Sequence, residues 1–290
     1  MAFAKILAPV TGTTRDASIL LTAIEAAKPF NAHVAALFVH ADPREGLPYT
    51  ESGMPLAPEI VQELVDDAED MARNASKAAR TTLADIVRDT GIKLVATPEC
   101  ADTVTASYRE SFGHYASCVA DAAKLSDLIV FAPILSADGS DVSQALITTI
   151  TKTSRPVLLS PVEPPKSLGR HIAIGWDGSQ SAAHALITAT PFLKHAEEIE
   201  LFSVQHAPVK KGQCAEAAEY LKLHGLACTE RDIDQGNAGV GETLLAQAMA
   251  SGADLLVIGG YGHSRLRETI LGGATIHIIS HATMPVLLVH

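Results

Sequence analysis

Short apolar runs alternate along this chain with segments whose apolar positions recur every three or four residues. Residues 5–12 (KILAPVTG) and 171–178 (HIAIGWDG) are runs of the first kind, and each ends in a polar residue followed by glycine. Residues 33–40 and 199–206 form two more. Such runs predict buried strands, and the segments between them predict amphipathic helices. The alternation predicts an α/β protein whose parallel sheets are covered by helices on both faces.

The same strand–helix–strand unit occurs twice in the chain. Both pairs of runs are 166 residues apart, so this part repeats without a gap. The later strands repeat at smaller offsets: residues 127–131 match 254–258 at 127 residues, and 156–160 match 285–289 at 129. The first copy therefore carries 39 extra residues in its middle. Within these, the pattern predicts a long helix over about residues 59–90.

A proline-rich segment separates the two copies. Residues 160–169 (SPVEPPKSLG) contain three prolines and a glycine, which are incompatible with a helix or a central strand. We predict two tandem doubly wound domains, each with a five-stranded parallel sheet, at residues 1–160 and 170–290. In the first domain, residues 93–96 are predicted to form a strand and residues 108–124 a helix.

A glycine-rich segment follows the fourth strand of the second copy. Residues 259–275 (GGYGHSRLRETILGGAT) show the pattern Gly-x2-Gly-x9-Gly. Glycine lets the backbone approach a ligand closely, and the end of the segment begins a predicted helix whose first N–H groups can bind an anion. In doubly wound folds, ligands bind beyond the carboxyl ends of the strands. The segment therefore predicts a phosphate site, with candidate contacts from Gly259, Gly262, Arg265, Gly272, Gly273 and the Thr275 hydroxyl.

Composition and charge exclude several other classes of protein. The chain has 22 basic and 33 acidic residues, a net charge of −11, and only 4% aromatic residues, which disfavours nucleic-acid binding. The longest apolar run, residues 128–135, is eight residues long, whereas a bilayer span needs about 20. The four cysteines form no Cys-x-x-Cys pair. We therefore expect a cytoplasmic protein with no nucleic-acid partner, no membrane contact and no metal site.

The order and spacing of three motifs resemble the universal stress protein family in its tandem form. They are Asp177-Gly178-Ser179 after the first strand of the second copy, the spaced glycines, and the closing strand 285–289 (PVLLV). The resemblance implies a Usp-like fold and an adenine-nucleotide site in the second copy, for ATP or AMP, with or without Mg²⁺. Asp177 would serve the nucleoside, and the backbone near Val204 would contact the base. The ribose and the phosphates would be bound by Gly259, Gly262, His263, Gly272, Gly273, Ala274 and Thr275.

The family resemblance also implies dimers that form through the last strand of the sheet. Within this chain, segments 157–160 and 286–289 could pair as a built-in pseudo-dimer, and two chains could form a homodimer. One departure lies at Gly273, because ATP-binding members usually carry Ser or Thr there; this predicts weaker phosphate binding or fewer bound phosphates. In the first copy, Thr11 replaces the aspartate and residues 132–144 lack the glycine pattern. We therefore predict one nucleotide site per chain, in the second copy.

Three functions are compatible with these residues. The first is a stress-response module in which nucleotide occupancy biases conformation or assembly. The second is a slow ATPase, for which His263 and Arg265 are the loop candidates to position water or stabilise charge. The third is a nucleotide-free dimerising scaffold, in which the glycine segment is only a tight connection. In that case Asp177 would be a helix N-cap or an Asx-turn residue.

Overall fold

The chain folds into one mixed α/β layer structure. The computed structural model describes residues 3–43, 57–132, 140–205, 208, 211–260 and 273–290. Its strands are β1 (Lys5–Val10), β2 (His33–His40), β3 (Lys93–Leu94), β4 (Thr105–Phe112), β5 (Leu128–Phe131), β6 (Val157–Leu159), β7 (His171–Gly175), β8 (Glu198–Gln205), β9 (Thr229–Asp234), β10 (Leu255–Gly259) and β11 (Val286–Val289). Its helices are α1 (Asp16–Ala27), α2 (Pro58–Thr90), α3 (Tyr115–Ala123), α4 (Ser140–Thr153), α5 (Gln180–Leu193), α6 (Ala215–Leu223), α7 (Val240–Ala250) and α8 (Gly273–His281).

The eleven strands of the described residues form a single sheet. Their order is β3-β4-β2-β1-β5-β6-β11-β10-β7-β8-β9. Neighbouring strands are parallel throughout, except that β6 and β11 pair antiparallel, with Leu158 opposite Leu287. The α/β class is as predicted, and the pairing that the resemblance implied for these two segments is present. Because backbone hydrogen bonds join β6 to β11, the sheets of the two halves form one continuous sheet.

Two apolar clusters cover the two faces of this sheet, and each extends across the β6–β11 junction. Leu158 and Leu287 belong to one cluster, whereas Leu159 and Leu288 belong to the other. This division follows from the alternation of side chains along a strand. The central strands are buried on both faces, as the continuous apolar sequence of β5 (LIVF) predicts. The halves of the chain are therefore joined by shared core packing as well as by hydrogen bonds.

The sequence prediction was wrong for the third strand of the first half. Residues 108–112 belong to β4, which pairs with β2 along its whole length, and the following helix begins only at Tyr115. The predicted strand 93–96 is a two-residue edge strand, β3, that lies outside β4. Residues 109 and 110 of β4 are exposed. Because this strand lies next to the sheet edge and is half exposed, its sequence lacks the continuous apolar run that identifies the central strands.

The long helix predicted in the first copy is present as α2. It ends at Gly91, whose φ of 71° is left-handed, a common end for a helix. Its buried side chains lie mainly in its second half, at Ser76, Ala79, Leu83 and Ile86. Among the helices in the described part of the chain, none combines the length and apolar composition that crossing a bilayer requires.

His33 on β2 is a buried histidine held between two hydroxyl groups. Its Nδ1 lies 2.8 Å from Thr105 Oγ1 and its Nε2 lies 2.8 Å from Ser107 Oγ. Burial, together with the positive charges of Lys5 and Arg109, lowers the pKa of His33 to about 4. The folded protein therefore favours the neutral imidazole, which pairs with both hydroxyls.

We expect His33 to make the protein less stable in mild acid. Because its pKa is lower in the folded chain than in the unfolded one, its contribution is complete above about pH 6.5 and is lost as the pH falls toward 4. From pH 7.5 to pH 5, the free energy of unfolding should fall by ~2 kcal/mol through this residue. Urea titrations of the wild type and of His33→Gln at both values measure this loss. An equal loss in both proteins would contradict the assignment.

Candidate functional site

A cavity of about 240 Å³ opens at the carboxyl ends of β7, β8 and β10 in the second half. Its walls come from these strand ends, the start of α5, the start of α7 and the first turn of α8. Six residues that the sequence assigned to a nucleotide site line it, namely Asp177, Val204, Gly259, Gly273, Ala274 and Thr275. The other four, Gly262, His263, Arg265 and Gly272, lie outside the described residues.

The turn after β7 places Asp177 at the edge of this cavity. The Ser179 N–H donates to Asp177 Oδ1 at 2.9 Å, and Gly178 between them has a left-handed φ of 74°. The N-cap of α5 is Ser179, whose Oγ accepts the Ala182 N–H at 3.2 Å. Asp177 is thus an Asx-turn residue and not the N-cap. The turn holds its exposed carboxylate beside the cavity, so the structural and the ligand-binding roles are compatible.

Backbone segments meet closely around the cavity where glycines allow it. A Cβ atom on Gly259 would lie 2.5 Å from the Ser181 carbonyl carbon, and one on Gly241 would lie 2.4 Å from the Ala274 oxygen. Neither position can carry a side chain, so β10 packs directly on α5, and α7 packs directly on α8. The sequence analysis missed Gly241, whose role depends on this contact between two helix starts.

The first turn of α8 borders the cavity. Gly273, Ala274 and Thr275 form this turn, and the first N–H groups of a helix have no partner within it. They also lie at the positive end of the helix dipole, which favours an anion. Within the described part of the chain, a Cβ atom on Gly273 would meet nothing within 4 Å, so a side chain there would displace none of these residues. The anion site at this helix stays a prediction.

Apolar side chains form much of the cavity wall. They are contributed by strands and helices far apart in the sequence, and they are Phe202, Val204, Val240, Leu244, Ile258 and Ile278. Trp176 also lines the cavity, and its indole N–H donates to the Gln213 oxygen at 3.1 Å. An apolar wall facing a few polar groups is the usual composition of a small-molecule site.

Comparison with known proteins identifies the second half of the chain. Residues 169–290 match the universal stress protein family. This half is a universal stress protein domain. A comparison with curated protein sequences gave no significant match.

The fold likeness extends to the first half of the chain. A universal stress protein from Archaeoglobus fulgidus is 16% identical, covers 98% of this chain and 97% of its own, and has a TM-score of 0.64. A functionally unknown protein from Pseudomonas aeruginosa PAO1 is 16% identical over 99% of this chain and 92% of its own, with a TM-score of 0.56. A universal stress protein in complex with cAMP, 11% identical, overlaps 56% of this chain and 100% of its own at a TM-score of 0.31, and carries no argument about ligands here.

The first half has a cavity at the position that corresponds to the site of the universal stress protein domain. It measures about 350 Å³ and is lined by Pro9, Thr11 and Phe131, among others. By the repeat offsets, Thr11 and Phe131 stand where the second half has Asp177 and Ile258. Both halves therefore have a cavity at this position, and the residue types that line the two cavities differ.

In the first half, the backbone N–H groups that follow β1 donate hydrogen bonds to the buried carboxylate of Asp16. Asp16 accepts the Thr11 N–H at 2.9 Å and the Gly12 N–H at 2.7 Å. Burial raises the pKa of Asp16, although these backbone hydrogen bonds oppose the shift. The corresponding residue of the universal stress protein domain is Ala182, which lines the cavity. In the first half, an internal carboxylate therefore uses donors that an anionic ligand would need.

A cluster of side chains that could ligate a metal lies at the amino ends of β7 and β8, away from the cavity. His171, Glu198 and Glu200 bring three ligand atoms within 4.8 Å of one another. Glu200 is buried, and it also pairs with Arg231 Nε at 3.0 Å and with His171 Nε2 at 3.1 Å. Because Arg231 already neutralises Glu200, the cluster forms a cross-strand ion-pair network without requiring a cation.

Proposed function

We propose that this protein is a universal stress protein that binds one adenine nucleotide, ATP or AMP, in the cavity of its second half. The observation that carries the proposal is the convergence of Asp177, Val204, Gly259 and the first turn of α8 on one cavity. These residues come from four separate segments of the chain, and the sequence alone had assigned them to one ligand. We propose further that the protein acts in the cytoplasm as a regulatory module of the stress response.

Each part of the cavity suits one part of such a ligand. The volume of about 240 Å³ lies a little below the ~300–1,000 Å³ of most small-molecule sites, and so fits the nucleoside better than the whole nucleotide. Val204 and the apolar wall would pack on the base, and the Asp177 carboxylate would accept hydrogen bonds from the ribose hydroxyls. The N–H groups at the start of α8 would donate to the phosphates, which carry Mg²⁺ when ATP is bound.

The organisation of the chain supports a regulatory role for the bound nucleotide. We propose two domains, at residues 1–160 and 170–290, that form a built-in pseudo-dimer through β6 and β11. The family match from residue 169 supports the second boundary, and the antiparallel pairing of the two edge strands supports the pseudo-dimer. A ligand that prefers one conformation of the second domain would shift the population of the whole chain, or of a homodimer of two chains.

Calorimetric titration with ATP and with AMP tests the proposed function. We expect a dissociation constant below about 1 mM for at least one nucleotide, since weaker binding than this corresponds to less than ~4 kcal/mol. We also expect one nucleotide per chain, because the first half lacks the aspartate and its donors are taken by Asp16. Absence of binding by both nucleotides would overturn the proposal and favour the scaffold. Two nucleotides per chain would assign a second site to the first half.

Gly273→Ser should strengthen the binding of ATP more than that of AMP. A serine side chain fits at this helical position, and its hydroxyl would lie beside the phosphate donors of α8. A hydrogen bond to a charged group contributes ~1.5–3 kcal/mol when buried, so at this open position we expect an affinity gain of about threefold to tenfold. Calorimetric titration of the wild type and of Gly273→Ser with ATP and with AMP measures this gain in affinity. Gly239→Ser serves as the control, because Gly239 has an ordinary φ of −74°, meets no other described residue within 4 Å of a built Cβ atom, and lies outside the cavity lining.

A further inference from the structure

A second, larger cavity lies where the two halves of the chain meet. It measures about 770 Å³, within the range of small-molecule sites, and it shares no lining residue with the nucleotide cavity. The first half contributes residues that precede β1, β2, β5 and β6, and the second half contributes α5, the two residues after it, and the end of α6. We refer to this cavity as the junction cleft.

Aromatic rings from both halves pack against one another at the base of the junction cleft. The ring centroid of Phe192 lies 5.0 Å from that of Phe3 and 5.2 Å from that of Phe30. The imidazole of His195 lies edge-on to Phe30 at 5.4 Å. Tyr220 adds another ring to the cleft wall. These contacts fix the two sides of the cleft relative to each other and provide an apolar surface for a ligand.

The polar lining of the cleft is basic, although the chain as a whole carries a net charge of −11. Arg155 and Lys194 line it, and neither forms a salt bridge with any of the described residues. Three imidazoles accompany them, those of His184, His195 and His224. One carboxylate lines the described part of the cleft, that of Asp127. It accepts the backbone N–H groups of Ala4 and Lys5 at 2.9 and 3.0 Å, so its negative charge is partly compensated within the fold.

We propose that the junction cleft binds a small organic anion, with a carboxylate or phosphate group on an aromatic or aliphatic body. The anionic group would lie between Arg155 and Lys194, and the apolar body would pack on Phe30 and Tyr220. Arg155 is held in place, since its Nη2 donates to the Lys124 carbonyl at 2.8 Å, whereas Lys194 is exposed and can turn toward a ligand. This ligand would bridge the two halves and so stabilise their arrangement.

Calorimetric titration with naphthyl phosphate and with naphthoic acid tests the junction cleft. Neutral naphthol and inorganic phosphate serve as the two partial ligands, and we expect both to bind at least about tenfold more weakly than the complete anions, because each lacks one of the two contacts. Lys194→Gln should weaken binding by about fivefold and Lys194→Glu by more, through loss and then reversal of an exposed charge. Lys77→Gln, an exposed lysine on α2, is the matched control and should bind as the wild type does.

Competition with ATP separates this site from the nucleotide cavity. Binding of naphthyl phosphate that persists in saturating ATP, and that Lys194→Gln weakens, would support the junction cleft whether or not the proposed nucleotide function holds. Displacement by ATP would place the probe in the other cavity and overturn the proposal. Equal affinity for naphthol and naphthyl phosphate, or no effect of either substitution at Lys194 while the melting temperature is unchanged, would overturn it as well.

Discussion

Gly12→Ala should destabilise the protein by ~2–5 kcal/mol, whereas Gly178→Ala should cost only ~1–2 kcal/mol. The two glycines correspond across the repeat, and both are left-handed, with φ of 79° and 74°. An alanine at either position therefore meets the same backbone penalty. They differ in their surroundings: a Cβ atom on Gly12 would lie 2.3 Å from the Ala75 oxygen, whereas one on Gly178 would meet no described residue within 4 Å.

The difference between these two variants measures how tightly α2 packs on the end of β1. The neighbour of Gly12 is the helix backbone at Ala75, which cannot rotate away as a side chain can, so α2 itself would have to shift. Urea unfolding of the two variants and of the wild type gives both free energies. An equal loss of stability at the two positions would contradict the close packing of α2 at Gly12.

The contact between Gly12 and Ala75 of α2 also gives a physical reason why the two halves differ at this strand end. In the universal stress protein domain, the turn at Gly178 is open and the adjacent Asp177 borders the cavity. In the first half, α2 lies on the turn at Gly12, and the side chain of Asp16 uses the neighbouring donors. In the first half, the carboxylate of Asp16 therefore uses backbone donors at a strand end that still borders a cavity. This supports the proposal of one nucleotide site per chain, in the second half.

Much of the fold followed from short-range patterns in the sequence. The central strands were predictable because both of their faces are buried, which requires continuous apolar runs such as that of β5. The 166-residue offset identified the repeat, and the polar residue and glycine after β7 placed Asp177 at a strand end. The first turn of α8 was assigned to the site because the first N–H groups of a helix have no partner within it and can bind an anion.

The remaining features depend on contacts between distant residues. The strand β4 was missed because its exposed face removes the apolar run, and its place beside β2 depends on pairing over its full length. The contact of Gly241 with Ala274 joins two helix starts that no local pattern connects. Similarly, the basic character of the junction cleft arises only when Arg155 and Lys194, from different halves, face one space. Spatial groupings of this kind require the folded structure.

Asp177→Ala should weaken nucleotide binding by about tenfold to a hundredfold, because a hydrogen bond to a charged group contributes ~1.5–3 kcal/mol. The substitution removes the carboxylate at the cavity edge and also the bond that Oδ1 accepts from the Ser179 N–H. Asp234→Ala is a matched control, since the exposed Asp234 accepts the Gly236 N–H at 2.9 Å in a similar turn and lies outside the cavity lining.

Comparison of the two aspartate variants separates loss of a ligand contact from loss of a turn. Both should lose a small amount of stability, because each loses the side chain-to-backbone hydrogen bond that closes its exposed turn. Only Asp177→Ala should raise the dissociation constant for ATP or AMP in calorimetry. Asp177→Asn tests the charge, since its side-chain oxygen can still accept the Ser179 N–H: we expect affinity between that of the wild type and that of Asp177→Ala. Wild-type affinity in Asp177→Ala would show that the carboxylate serves only the turn, and would move the ribose contact to another residue of the cavity.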